Sequence, residues 1–438
     1  MKFKPLEECL AIPLRNGLTK PKKVRGQGYK MVNMGELFST PIINELEMDR
    51  VPLTDKEKVS LLEAGDLLFA RQSLVREGAG QCSIFWDDAE EVCFESHIIR
   101  CRIDRQKADP LFLFYYFQSK LGKSNVDCYV EQGAGAAGIR GTDLLKVLVP
   151  DIDVEHQRKV AKALYQLDRK IKNNFLVNQT LEQMAQAIFK SWFVDFDPVK
   201  AKMNGERPDG MDAVTASLFP EKLVESELGL IPDGWEVTKL SKVIDLLNGF
   251  AFKSPDYVKE GTFVLRTKNF DSSNSVERLG DDVYLPDEFL ESHKKYLCEA
   301  YDYHVVMVAA SIGKTAMIYP HQLPALRNQN MWCFRPKDES LRFYTKYMVD
   351  GLVKLNMGLA SGSARAFFKK GDFNSYEFAL PSSELLNKFN DVVGNLVKQK
   401  GSLLNQNVQL AAMRDTLLPK LLSGEIELGE VEEQAEVN

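Results

Sequence analysis

The chain has 438 residues, 44% of them hydrophobic, which allows two or three cores and excludes wholesale disorder. Its seven cysteines (Cys9, Cys82, Cys93, Cys101, Cys128, Cys298, Cys333) stand singly, with no CxxC pair. No stretch approaches the ~20 apolar residues that span a bilayer, so the composition predicts a cytoplasmic protein with reduced thiols and no membrane contact. The net charge of −6 equals the six glutamates of Glu425–Asn438, which leaves a neutral body and a tail expected to be solvated and disordered.

Residues 1–152 read as a first globular domain of α+β texture. Short apolar runs, Gly65 to Ala70 and Ile98 to Ile103, are spaced by Gly, Asn, Asp and Pro turns, and a more helical stretch follows at Leu111 to Leu121. A Gly-rich loop, Gln132 to Arg140, leads through a short strand to Pro150. Residues 153–197 then read as one long helix. Within it, steps of 4 and 3 run through Val160, Leu164, Leu167, Ile171, Asn174, Asn178, Leu181, Ala185, Ile188 and Trp192. Alternating steps of this kind are a heptad seam, an apolar stripe that must bury against a partner helix.

Asp197-Pro198 ends the pattern, because proline disfavours the helical conformation at the residue before it. Residues 198–235 are expected to be an irregular crossover. A second α+β domain follows at 236–382, with the run Val305 to Ala310 and a helical stretch at Leu341 to Leu355. A second long helix is predicted at 383–424, its seam reading Phe389, Val393, Leu396, Lys400, Leu403, Asn407, Leu410, Arg414, Leu417 and Leu421. Every rung of the second ladder lies 229 residues after its counterpart in the first. At 1.5 Å per residue each ladder is a rod of roughly 50 Å. The two are natural partners, and antiparallel pairing as a coiled coil would give the molecule pseudo-twofold symmetry. The polar rungs Asn174, Asn178, Lys400, Asn407 and Arg414 would fix register at some cost in stability.

The duplication reaches weakly into the globular parts, where Ala79 to Phe85 matches Ile312 to Ile318, and His97 matches Asn330. Two similar scaffolds with divergent loops suit two readers of different targets.

Motifs for chemistry are scarce. Ser311-Ile312-Gly313-Lys314-Thr315 ends like a phosphate-binding loop but has Val308 where the first glycine belongs. Gly133, Gly135 and Gly138 give GxGxxG ahead of a turn and short strand instead of opening a helix, so the dinucleotide reading fails; a flexible loop that can approach another surface fits better. The five histidines show neither metal-ligand spacing nor a nucleophile's partner, and no methyl-donor or amino-methyltransferase motif occurs. The expectation is a chain without catalytic site, metal or cofactor of its own.

What remains are basic and amide side chains in loops: Arg71, Gln72, Arg76, Gln132 and Arg140 in the first domain, and Lys314, Arg327, Asn328, Gln329, Asn330, Arg365, Lys369 and Lys370 in the second. Arg and Lys can pair with guanine edges and phosphates, and Asn and Gln with adenine. Each is equally compatible with an ordinary solvated loop. The residues alone leave open a scaffold of two non-DNA ligand modules joined by a coiled coil.

The order of parts, with Leu181-Glu182-Gln183-Met184-Ala185-Gln186-Ala187-Ile188-Phe189-Lys190-Ser191-Trp192-Phe193-Val194-Asp195-Phe196 closing the first helix, Met413-Arg414-Asp415-Thr416-Leu417-Leu418-Pro419-Lys420-Leu421-Leu422-Ser423-Gly424 closing the second, and Gly229-Leu230-Ile231-Pro232-Asp233-Gly234-Trp235-Glu236-Val237 opening the second domain, resembles the specificity subunit of type I restriction-modification systems. The resemblance covers essentially the whole chain. It implies that each domain reads one half of a bipartite site in double-stranded DNA and that the helices set the gap. It also implies two modification subunits, which bind S-adenosylmethionine and flip an adenine for methylation, and, in the larger complex, two restriction subunits that use ATP and Mg. Phe189, Trp192, Phe193, Leu417, Leu418 and Leu421 are then candidates for docking those subunits, the competing reading being packing between the chain's own helices.

Overall fold

A computed structural model describes residues 2–308, 310–360 and 367–423. Arg365 of the candidate loop residues and the acidic tail 425–438 lie outside the described residues. The chain divides into two compact units, Met1–Lys172 with Val408–Asn438, and Asn173–Asn407.

The first unit is built on a five-stranded sheet in the order 15–16, 98–101, 67–70, 82–87, 42–44. Leu67–Ala70 is buried at every position, the signature of a strand covered on both faces. One cover is the helix Pro110–Gln118, whose residues through Phe117 are all buried. Proline occupies its first turn, where no amide hydrogen is needed, and Asp109 caps it by accepting from the Phe112 amide at 2.8 Å. Phe69, Ile84, Ile99 and Phe112 share one core with Val160, Leu164, Leu418 and Leu421, so both long helices contribute to it. Asp168 is gripped there from two sides: Tyr115 donates to it at 2.6 Å and Arg414 at 2.7 Å.

The second unit repeats the plan with a four-stranded sheet, 244–248, 331–336, 303–306, 315–317, backed by the helix Arg342–Ala360. A three-stranded sheet, 284–285, 262–265, 325–327, lies over a separate apolar cluster. The long helices are Val154–Phe193, 40 residues, and Ser383–Ser423, 41 residues. Each is about 60 Å long, and every predicted seam rung is buried or half-buried. Within the second unit Asn174 donates to Asn407 at 2.9 Å and to Gln406 at 2.7 Å, Lys400 bonds Glu182 at 3.0 Å, and the rings of Phe193 and Phe389 stand 5.0 Å apart.

Two expectations change. The crossover is not irregular: helices Asp197–Met203 and Ala213–Ser217 precede a hairpin pairing Leu223–Ser226 with Gly229–Pro232. Phe219 and Trp235 from this stretch are buried in the second unit's core, and that burial gives the segment its order. The Gly-rich loop is not simply flexible either. Glu131–Gln132 pairs with Ala137–Gly138, which pairs in turn with Gln72–Ser73, so Gly133 and Gly135 lie in the turn of a small three-stranded sheet and Gly138 in its central strand.

Candidate nucleic-acid interface

Both units close the same edge with the same set of backbone bonds. In the first, the Arg71 amide donates to His97 O at 2.7 Å and the Ile139 amide to Arg71 O at 3.0 Å; in the second, Met307 donates to Asn330 O at 3.1 Å and Phe368 to Met307 O at 2.9 Å. Ala70 donates to Gln81 O and Gly80 to Ala70 O, matched by Val306 to Lys314 O and Gly313 to Val306 O. Gly80 and Gly313 both have positive φ, 76° and 81°, where a side chain is strained. Ser96 donates to Leu18 O at 3.1 Å, and Gln329 to Phe250 O at 2.9 Å. A Cβ on Gly17 would stand 2.2 Å from Phe94 O, and one on Gly249 1.7 Å from Asn328 O, so only glycine admits this contact in either unit.

Four loops therefore meet at one edge of each unit. They carry Leu18, Arg71 to Gln81, Glu95 to His97 and Gly133 to Arg140 in the first, and Phe250, Met307 and Val308, Ala310 to Lys314, Asn328 to Asn330 and Phe367 to Lys369 in the second. Most of the sequence candidates fall on these loops. Gln72, Arg76, Gln132 and Arg140 are exposed and Arg71 half-buried. In the second unit Lys314, Gln329, Asn330 and Lys369 are exposed and Asn328 is half-buried. Arg140 and Lys369 occupy the same position, one residue after the equivalent donors Ile139 and Phe368. Arg76 and Arg140 already hold carboxylates, Asp127 at 3.0 Å and Glu131 at 2.8 Å, so each would exchange a partner on binding an anion.

Several candidates are corrected. Arg327 is 1% exposed, and its guanidinium donates to the carbonyls of Asn248 (2.9 Å), Leu297 (2.8 Å) and Lys295. It holds the loops together from inside and touches nothing outside. Lys370 is half-buried with its ammonium on Leu246 O at 2.7 Å, which gives it a structural partner. Of the docking candidates, Trp192 and Phe193 are buried against Phe219, Trp235, Tyr344 and Phe389, and Leu418 and Leu421 in the first unit's core. Phe189 and Leu417 are half-buried, Phe189 against Tyr344 and Phe389. Aromatic and leucine side chains at a helix end serve packing here because the short crossover elements and the helical termini fold over them.

The sequence reading missed Asn16-Gly17-Leu18 and Asn248-Gly249-Phe250. The doublet Asn-Gly recurring 232 residues apart, almost the ladder interval, was the available signal. It also missed that Asp302, His304 and Cys333 come together, their ligand atoms within 4.8 Å of one another. They do not suit a cation, since Arg335 already binds both carboxylate oxygens of Asp302, at 2.9 and 2.5 Å. Burial holds the His304 imidazole at a pKa of about 4, neutral at physiological pH.

Among the described residues no helix is long and apolar enough to cross a membrane. Residues 232–388 match the family described as type I restriction modification DNA specificity domain. The HindI type I restriction enzyme specificity subunit of Haemophilus influenzae is 27% identical over 443 residues, covering 90% of this chain and 94% of that one. The MjaIX specificity subunit of Methanocaldococcus jannaschii is 23% identical over 324 residues, covering 73% and 70%. The crystal structure of a type I restriction-modification S subunit from M. genitalium shares the fold at a TM-score of 0.53 and 14% identity, covering 96% of this chain and 95% of that one. Residues 232–388 thus match the family's domain directly, and along most of its length the chain is similar to type I restriction-modification specificity subunits.

Proposed function

We propose that this chain is the DNA sequence-specificity subunit of a type I restriction-modification complex and is itself non-catalytic. Domains 1–152 and 236–382 each read one half of a bipartite site through the loop edge described above. Helices 153–197 and 383–424, joined by the crossover 198–235, pair as an antiparallel coiled coil that fixes the gap. The observation that carries the reading is the shared edge: identical backbone bonds in both units present different side chains, as two readers of different half-sites require. The contacts of Arg414 with Asp168 and of Asn407 with Asn174 support antiparallel pairing, since partner numbers fall in one helix as they rise in the other. Half-sites read from one face of DNA lie on the order of 34 Å apart or a little more, which rods of this length can span.

Two modification subunits dock on the paired helices and supply S-adenosylmethionine; two restriction subunits, using ATP and Mg, join the larger complex. The assembly works on DNA in the cytoplasm. Co-expression with the modification subunit followed by mapping of methylated adenines tests the proposal. A split motif with a fixed gap, lost when this chain is deleted, is the expected result. Methylation that persists unchanged without the chain would refute it.

A further inference from the structure

Resting on that reading, we propose that Leu74 enters the base stack of the half-site read by the first unit, unstacking one step. Leu74 is 87% exposed and its neighbour Val75 60%. They form the tip of the loop that leaves the small sheet at Gln72–Ser73, in the midst of Arg71, Gln72 and Arg76. The tip is a built turn: the Val75 amide donates to Ser73 Oγ at 3.3 Å, the Gly78 amide to Val75 O at 3.2 Å and the Ala79 amide to Arg76 O at 3.1 Å. Arg76 donates to the Asp127 carbonyl at 3.0 Å and anchors the stem to the domain. Leucine is thus held outward by bonds that none of its own contacts supply.

Two apolar side chains are too small a surface for a stable protein interface, which buries on the order of 800 Å² per partner. They do match the apolar wedges, leucine among them, that part a base step and kink the duplex. The polar neighbours are suited to the phosphates and base edges on either side of such a step. The second unit has no equivalent loop length. Nine residues separate Ala70 from Gly80, and only six separate Val306 from Gly313. This wedge is therefore assigned to the half-site read by the first unit.

The test uses the complex with its modification subunits and duplexes carrying the mapped site, with 2-aminopurine placed at successive positions through both halves. The unaltered complex should raise fluorescence at one step of one half. Leu74→Ala should abolish that signal and weaken site binding by about tenfold, while Leu74→Met keeps both and thermal stability stays unchanged in each. Signal at the methylated adenines that does not depend on Leu74 belongs to base flipping by the partners. Equal affinity and fluorescence for Leu74→Ala and the unaltered complex would overturn the wedge, as would loss of subunit assembly in Leu74→Ala, which would assign the tip to a protein contact. Failure of the unaltered complex to prefer its site would instead overturn the recognition reading on which the wedge rests.

Discussion

Glu182 is a single carboxylate between two buried ammonium groups, Lys346 at 2.5 Å and Lys400 at 3.0 Å. Burial alone would raise its pKa, but the two lysines outweigh it and hold the group at about 2 against an ordinary 4.5. A carboxyl depressed on folding stabilises the fold above its unfolded pKa and loses that contribution as pH falls. Acid should therefore cost the second unit stability between about pH 4.5 and 2, and Glu182→Gln should flatten that part of a stability profile. At neutral pH the same substitution leaves buried Lys400 without its carboxylate and Lys346 with Asp350 alone, at 3.2 Å, with an expected loss of about 3–5 kcal/mol in denaturant unfolding. Arg327 and Lys369 separate two roles that sequence could not. Arg327→Ala should lower the thermal midpoint by removing the hydrogen bonds through which a buried guanidinium ties Asn248, Lys295 and Leu297 together. Lys369→Ala should leave the midpoint alone, weaken DNA binding, and reduce the slope of log affinity against log salt by roughly 1.

At the scale of elements, the long helices were legible because a 3.5-residue period sustained over more than 30 residues matches a paired helix and no competing regular structure. Their polar rungs were legible as register marks, but the partners were not. Glu182, which meets Lys400, lies beside the seam, and Asp168, which meets Arg414, falls between rungs of the first ladder. The interface edge was legible only as a set of side chains, because its integrity rests on backbone bonds that leave no trace in composition beyond a recurring Asn-Gly. Arg327 and Trp192 misled for a common reason: residue type signals contact with a partner, and only burial tells whether that partner is the chain itself. Trp192→Ala should cost about 3–5 kcal/mol, measured by denaturant unfolding. Inserting about four residues, one turn, near Asn174, with a matching insertion beside Asn407, should lengthen the methylated motif's gap and leave both halves unchanged. An unaltered gap would discredit the helices as a ruler.

At the scale of the whole chain, two units built on one plan predict that their specificities are separable. Replacing residues 1–152 by the corresponding segment of a relative should change one half of the methylated motif and preserve the other half and the gap. Methylome sequencing of the host reads all three at once. The shared edge explains why such exchange can succeed. Its loops are tied by amide-to-carbonyl bonds and by glycines at the points of closest approach, so the scaffold asks almost nothing of the side chains that face outward. Mutational drift in those side chains is then nearly free of folding penalties, and the two readers can come to differ in what they read without any change in the scaffold that carries them.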